Sequence, residues 1–125
     1  MVLVDAPCSG SGTWRRTPEL KWRLTTERLT ALTALQARLL DEGARHTKQG
    51  GRLVYATCSL LPCENEDVIA EFLIGHPGFR RLPVQDVWRD MGLAPVPGMA
   101  EDFHASPLTT GTDGFFAAVM ERGAA

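Results

Sequence analysis

Two apolar, β-branched runs each stop abruptly at a polar turn that carries a cysteine, and nothing else in the 125-residue chain restricts its fold as tightly. The first is Val2-Leu3-Val4, leading into Asp5-Ala6-Pro7-Cys8-Ser9-Gly10-Ser11-Gly12. The second is Leu53-Val54-Tyr55-Ala56, leading into Thr57-Cys58-Ser59. Runs apolar at consecutive positions suit parallel strands covered on both faces, and open α/β sheets deliver chemistry at the carboxyl ends of such strands. Between the runs, Leu29, Leu32, Leu35, Leu39 and Leu40 recur at spacings of three and four, which predicts a helix from about Thr26 to Lys48. Thr25 or Thr26 supplies its amino-terminal cap, and Gly50-Gly51 stops it. Strand, helix, strand gives a parallel pair with a right-handed crossover, so the two turns lie side by side and Asp5, Cys8 and Cys58 share one crevice.

The rest of the chain reads as support. Thr13 to Thr26 is an ordered loop with one helical turn. A second helix runs from about Cys63 to Ile74, with Glu64, Glu66 and Asp67 in its first turn suiting the positive end of the helix dipole and Val68, Ile69, Phe72 and Leu73 forming its buried stripe. Phe79 to Trp88 has a strand-like register weakened by Pro83, and residues 89–107 read as a long loop. Phe115 to Met120 forms a last strand after the turn Gly111-Thr112-Asp113-Gly114. A central strand needs a neighbour on each side, so one beginning at residue 2 predicts further strands upstream or from another chain. The plain alternative is the first strand of a small sheet.

A hydrophobic share of 44% and a charged share of 22% are those of one ordinary globular domain, and no apolar run is long enough to cross a bilayer. With no secretion signal and three cysteines, too few for a disulfide framework, the expectation is a cytoplasmic protein with free thiols. The net charge of −2 argues against binding nucleic acid by bulk electrostatics. Arg15, Arg16, Lys21, Trp22, Arg23 and Arg28 nevertheless fall close together after the first cysteine turn, either as a positive patch with an interleaved indole or as a solvated loop and helix start.

Thiols serve metals, redox chemistry and nucleophilic catalysis. Cys58 and Cys63 are separated by four residues, Cys8 stands far off, and His46, His76 and His104 have no ligand spacing, so no metal site is expected. There is no Cys-x-x-Cys pair, although a Cys8–Cys58 disulfide fits adjacent strands. Cys58 at a strand end, before a helix, suits a nucleophile, and Asp5 at the neighbouring strand end can hold a proton or polarise a ring nitrogen. By residue type alone, either cysteine is more often a small buried hydrophobe.

The joint pattern goes further. Asp5 to Gly12, Thr57-Cys58-Ser59 with Glu64-Asn65-Glu66 after it, and Gly111 to Phe116 resemble, in order and separation, three motifs of the Nop/Sun (Fmu-like) family of S-adenosylmethionine-dependent RNA cytosine-5 methyltransferases. Arg16, Pro18, Lys21 and Trp22 resemble the stretch that follows the first motif. The resemblance implies an α/β fold, the carboxyl-terminal half of a Rossmann-like methyltransferase domain, with a mostly parallel sheet, flanking helices and an antiparallel last strand. It implies Cys58 as the nucleophile that adds to carbon 6 of cytosine, Cys8 as the second cysteine in product release, and Asp5 as a carboxylate beside the base. Asp5 and Pro7 are implied as cofactor contacts, S-adenosylmethionine as cofactor, and rRNA or tRNA as partner. A swap of the roles of Cys8 and Cys58 stays open, since DNA cytosine methyltransferases use a Pro-Cys cysteine as the nucleophile.

No Gly-rich cofactor turn precedes Val2, so residues 1–125 are expected to form a single partial catalytic domain that binds S-adenosylmethionine weakly and is inactive alone. Two alternatives from other classes are a non-catalytic RNA-binding or assembly module of the same fold and a thiol-redox protein. The exposed first strand suggests a homodimer by edge pairing.

Overall fold

The computed structural model of the chain describes residues 1–97 and 99–123. Among the described residues five strands, β1 (Val2–Asp5), β2 (Arg52–Thr57), β3 (Phe79–Leu82), β4 (Phe103–Ala105) and β5 (Phe115–Arg122), form one sheet in the order β1-β2-β5-β3, with β4 also paired to β5. Among the described residues the α-helices are α1 (Glu19–Arg23), α2 (Thr26–His46), α3 (Glu66–Gly75) and α4 (Val84–Asp90).

β1 and β2 are parallel, with Val4 opposite Tyr55 and Asp5 opposite Ala56, while β5 runs antiparallel to β2, β3 and β4. The expectation of a mostly parallel sheet is therefore corrected to a mixed one. The long helix of a crossover joins only β1 to β2, and each later strand pairs with β5, which returns in the opposite sense.

Sheet register decides what each face buries. Val4, Leu53, Tyr55, Phe116, Ala118 and Met120 point to one face, where they pack with Leu40 and Ala44 of α2 and with Val68, Ile69 and Phe72 of α3. A fully buried Leu or Phe there contributes about 1.5–3 kcal/mol. Gly43 lets α2 come close, because a methyl group on it would lie 2.8 Å from Val4 Cγ2 and 2.9 Å from Leu53 Cδ1. Thr25 caps α2 by accepting the Arg28 N–H at 3.1 Å, and Arg122 of β5 donates to the Thr47 carbonyl at 2.6 Å beyond its other end. The opposite face is less covered. Leu3, one residue from buried Val4, is 60% exposed, so the consecutive apolar run at β1 is not sheltered on both sides.

Beyond shifts of one or two residues at element ends, three stretches differ from the sequence reading. The second helix begins at Glu66, because Pro62–Glu64 forms a separate 3-10 turn. Phe79 to Trp88 is not one strand: the chain leaves β3 at Pro83, whose missing N–H ends the ladder, and α4 starts at Val84. The expected loop of residues 89–107 contains the end of α4 and the short strand β4, with Trp88 stacked on Phe103 at 6.0 Å between ring centroids; residue 98 lies outside the described residues.

Candidate functional site

The carboxyl ends of β1 and β2 bring Cys8 and Cys58 together, with their sulfurs 3.4 Å apart and both thiols free. Parallel registry continues one step past β1, where the Ala6 N–H donates to the Ala56 carbonyl at 2.9 Å, and the two chains then turn in the same direction. Both cysteines are half-buried, so the pair is neither sealed within aliphatic packing nor spread over the surface. Burial, followed by contact with the Cys58 sulfur, pushes the Cys8 thiol up to about 12. Cys8 thus stays protonated at neutral pH and can donate toward Cys58.

Beneath the thiols lies a buried polar hub. Glu64 has no exposed surface, and its carboxyl accepts the Ser9 N–H at 2.8 Å, the Ser9 hydroxyl at 2.7 Å, the Ser59 hydroxyl, and Gln36 Nε2 at 3.3 Å. Ser9 follows Cys8 and Ser59 follows Cys58, so one carboxyl holds the residue after each cysteine. Gln36 Nε2 also donates to the Pro7 carbonyl at 2.9 Å, which ties α2 to the first turn. Asn65 holds the second, accepting from Thr57 Oγ1 at 2.6 Å and donating to the Ser59 carbonyl at 2.8 Å. The Tyr55 hydroxyl donates to the Glu64 carbonyl at 2.6 Å, and burial followed by the Glu64 charge raises the pKa of that phenol.

A third loop is stitched on through backbone hydrogen bonds and one side-chain cluster. The Gly12 N–H donates to the Cys58 carbonyl at 2.9 Å, and the Gly114 N–H donates to the Gly12 carbonyl at 2.8 Å. A methyl group on Gly12 would lie 2.7 Å from the Cys58 carbonyl oxygen, and one on Gly114 would lie 2.6 Å from Gly12 Cα. Only glycine allows these approaches. Asp113, just before Gly114, pairs with Arg15 at 3.0 Å and with Arg16 at 2.6 Å; desolvation raises its carboxyl pKa, and the hydrogen bonds and charges of the two guanidiniums together outweigh it and lower the pKa.

The remaining candidates are placed as follows. Asp5 and Pro7 are exposed at the end of β1. They lie on an edge that has no further strand beyond it among the described residues. Cys63 lies apart from the thiol pair and lines a cleft of about 570 Å³ between α2 and α3, to which neither Cys8 nor Cys58 contributes. Among the described residues no cluster of His, Cys, Asp and Glu has the makings of a metal site, and no helix is long and apolar enough to cross a membrane. The sequence reading assigned Glu64 to a helix dipole and passed over Gln36. The available signal was Gln36 itself, a polar residue one turn before Leu40 on the buried stripe of α2.

A parallel strand pair that presents two opposed thiols at its carboxyl end, braced by a buried carboxyl, defines a thiol-centred α/β domain. A statistical model of the family described as 16S rRNA methyltransferase RsmB/F matches residues 1–121, and the chain belongs to that family, the Nop/Sun group whose motifs it resembles. It is 42% identical over 121 residues to ribosomal RNA small subunit methyltransferase B of Thermus thermophilus, covering 97% of this chain and 29% of the relative. It is 46% identical over 124 residues to the 28S rRNA (cytosine-C(5))-methyltransferase of Mus musculus, covering 97% of this chain and 26% of the relative. The crystal structure of NSun6 from Pyrococcus horikoshii with SFG superposes with a TM-score of 0.72 at 26% identity, over 98% of this chain and 29% of that one. The chain therefore spans between a quarter and a third of the length of these proteins.

Proposed function

We propose that the chain is a partial catalytic domain of an rRNA cytosine-5 methyltransferase and that Cys58 is its nucleophile. The observation that carries this reading is the 3.4 Å approach of the Cys8 and Cys58 sulfurs at the carboxyl ends of a parallel strand pair, where burial raises the Cys8 pKa. Carbon 5 of cytosine is too weak a nucleophile to take a methyl group unaided. Addition of the Cys58 thiolate to carbon 6 forms an S–C bond and moves electron density onto carbon 5. Asp5, at the neighbouring strand end, faces the ring-nitrogen edge of the base. Asp5 and Pro7 would form one wall of the S-adenosylmethionine site, and the cofactor would supply an electrophilic methyl group there. Once carbon 5 carries the methyl group, its proton leaves to a base, the S–C bond breaks, and the electron pair returns to Cys58. Cys8 is the hydrogen-bond donor beside that departing sulfur.

This division of labour is tested by grafting residues 1–121 in place of the matching segment of the Thermus thermophilus relative and measuring methyl transfer to rRNA. Cys58→Ser is expected to abolish transfer, whereas Cys8→Ser is expected to stall turnover with protein-bound RNA accumulating. The reverse pattern assigns the nucleophile to Cys8. A graft that folds and binds RNA but never transfers a methyl group favours a non-catalytic RNA-binding or assembly module. The 125-residue chain alone is expected to bind S-adenosylmethionine weakly, and a micromolar affinity by titration calorimetry contradicts that. The outer edge of β1, unpaired among the described residues, is the place where a second copy would add. A monomeric mass by sedimentation at high concentration rules the dimer out.

A further inference from the structure

Trp22 is 82% exposed, an unusual position for the largest apolar side chain, and it sits between Lys21 and Arg23 in α1. The short helix is anchored beside the first cysteine turn. Leu20 is half-buried, and its Cδ1 lies 3.0 Å from where a methyl group on Gly10 would stand. The preceding turn is closed by the Thr17 N–H donating to the Thr13 carbonyl at 2.8 Å, and Arg15 and Arg16 are pinned to Asp113, next to the Gly114 that hydrogen-bonds Gly12. The helix that carries the indole is thus held against the first cysteine turn.

Charge points to the partner. Residues 15–28 contain Arg15, Arg16, Lys21, Arg23 and Arg28 against Glu19 and Glu27, although the whole chain carries −2. The positive charge is concentrated in the segment that follows the first cysteine turn, with Arg15 and Arg16 paired to Asp113 and Lys21 and Arg23 flanking Trp22 in sequence. An apolar protein partner would want an apolar surround, and Trp22 instead has a cation on either side. A duplex hides the faces of its bases, whereas a single strand offers both phosphates and open base faces.

We infer that α1 is a stacking platform for single-stranded RNA: Trp22 takes the face of a base flanking the one that enters the crevice, and Lys21 and Arg23 pair with its phosphates. This deepens the RNA reading above and rests on it.

Fluorescence anisotropy with a labelled oligouridylate of about eight nucleotides tests the inference on the purified chain. Trp22→Ala is expected to weaken binding about 5- to 150-fold, while Trp22→Phe retains most of the affinity. An abasic ribose-phosphate oligomer is expected to bind both equally. Replacing Lys21 and Arg23 together by Ala is expected to reduce the slope of log affinity against log salt by about 1.4. The inference is overturned if Trp22→Ala binds like the wild type, if the abasic oligomer shows the same loss, or if the wild type does not bind the oligonucleotide. Oligouridylate contains no cytosine and needs no cofactor. A graft that fails to transfer methyl groups while Trp22-dependent binding persists therefore defeats only the catalytic proposal, and the converse defeats only the platform.

Discussion

Removing the Glu64 carboxyl should loosen both cysteine turns at once. In Glu64→Ala the Ser9 N–H loses a buried acceptor at 2.8 Å, and an unsatisfied buried donor of that kind costs about 1–3 kcal/mol. Gln36 Nε2 keeps the Pro7 carbonyl, so its loss is small. The Ser9 and Ser59 hydroxyls can turn toward each other, 3.4 Å apart, and Ser59 also toward Ser11 at 3.1 Å, so they recover part of their loss. With the void left by the missing side chain, the total is about 3–5 kcal/mol, a large share of the roughly 5–15 kcal/mol that holds a domain folded. At a slope near 2 kcal/mol per molar, the urea midpoint falls by about 2 M. Glu64→Gln keeps the Oε1 contacts and asks the two hydroxyls to accept instead of donate, so its cost is smaller, about 1–2 kcal/mol. Equilibrium urea unfolding followed by circular dichroism measures both. A loss below about 1 kcal/mol for Glu64→Ala, with an unchanged slope, refutes the hub.

Gly12→Ala and Gly114→Ala each force a methyl group against backbone, so each should cost about 1–3 kcal/mol or more and splay the loop carrying Asp113; a midpoint within error of the wild type contradicts the stitch. Folding raises the Cys8 pKa from 9.0 to about 12, so the folded chain holds a proton that the unfolded chain releases. The stability tied to this thiol is full below pH 9 and declines as the pH climbs toward 12. The wild-type urea midpoint should therefore fall more steeply between pH 9 and about pH 11 than that of Cys8→Ser, and equal slopes count against a buried, protonated Cys8. Gly43→Ala, which drives a methyl group into Val4 and Leu53, should destabilise the chain by about 1–3 kcal/mol despite the better helix propensity of alanine, and a stabilised variant would show that α2 can ride further from the sheet.

Periodicity and punctuation made much of the scaffold legible. The leucine spacing marked α2 to within two residues at its carboxyl end, and the two apolar runs marked β1 and β2. The convergence of Cys8 and Cys58 follows from the parallel pairing that a strand, helix, strand order requires. The sense of the later strands was less accessible, because pairing partners depend on where the chain returns rather than on local pattern. β3 and α4 were merged because Phe79 to Trp88 mixes the two periods around Pro83. Glu64 was misjudged for a different reason. An acidic residue near a helix start is usually solvated, and only tertiary contact with Ser9, Ser59 and Gln36 turns it inward. The glycines of the motif loops gained their meaning only when Gly12 and Gly114 were found backbone to backbone.

The most direct test of the thiol assignment is to incubate the grafted enzyme with S-adenosylmethionine and an rRNA fragment containing 5-fluorocytidine, whose fluorine cannot leave as a proton does, and to locate the trapped nucleotide by peptide mass spectrometry. The account predicts a covalent link on Cys58, absent in Cys58→Ser and retained in Cys8→Ser. A link on Cys8, or none at all from a folded enzyme that binds the RNA, contradicts it.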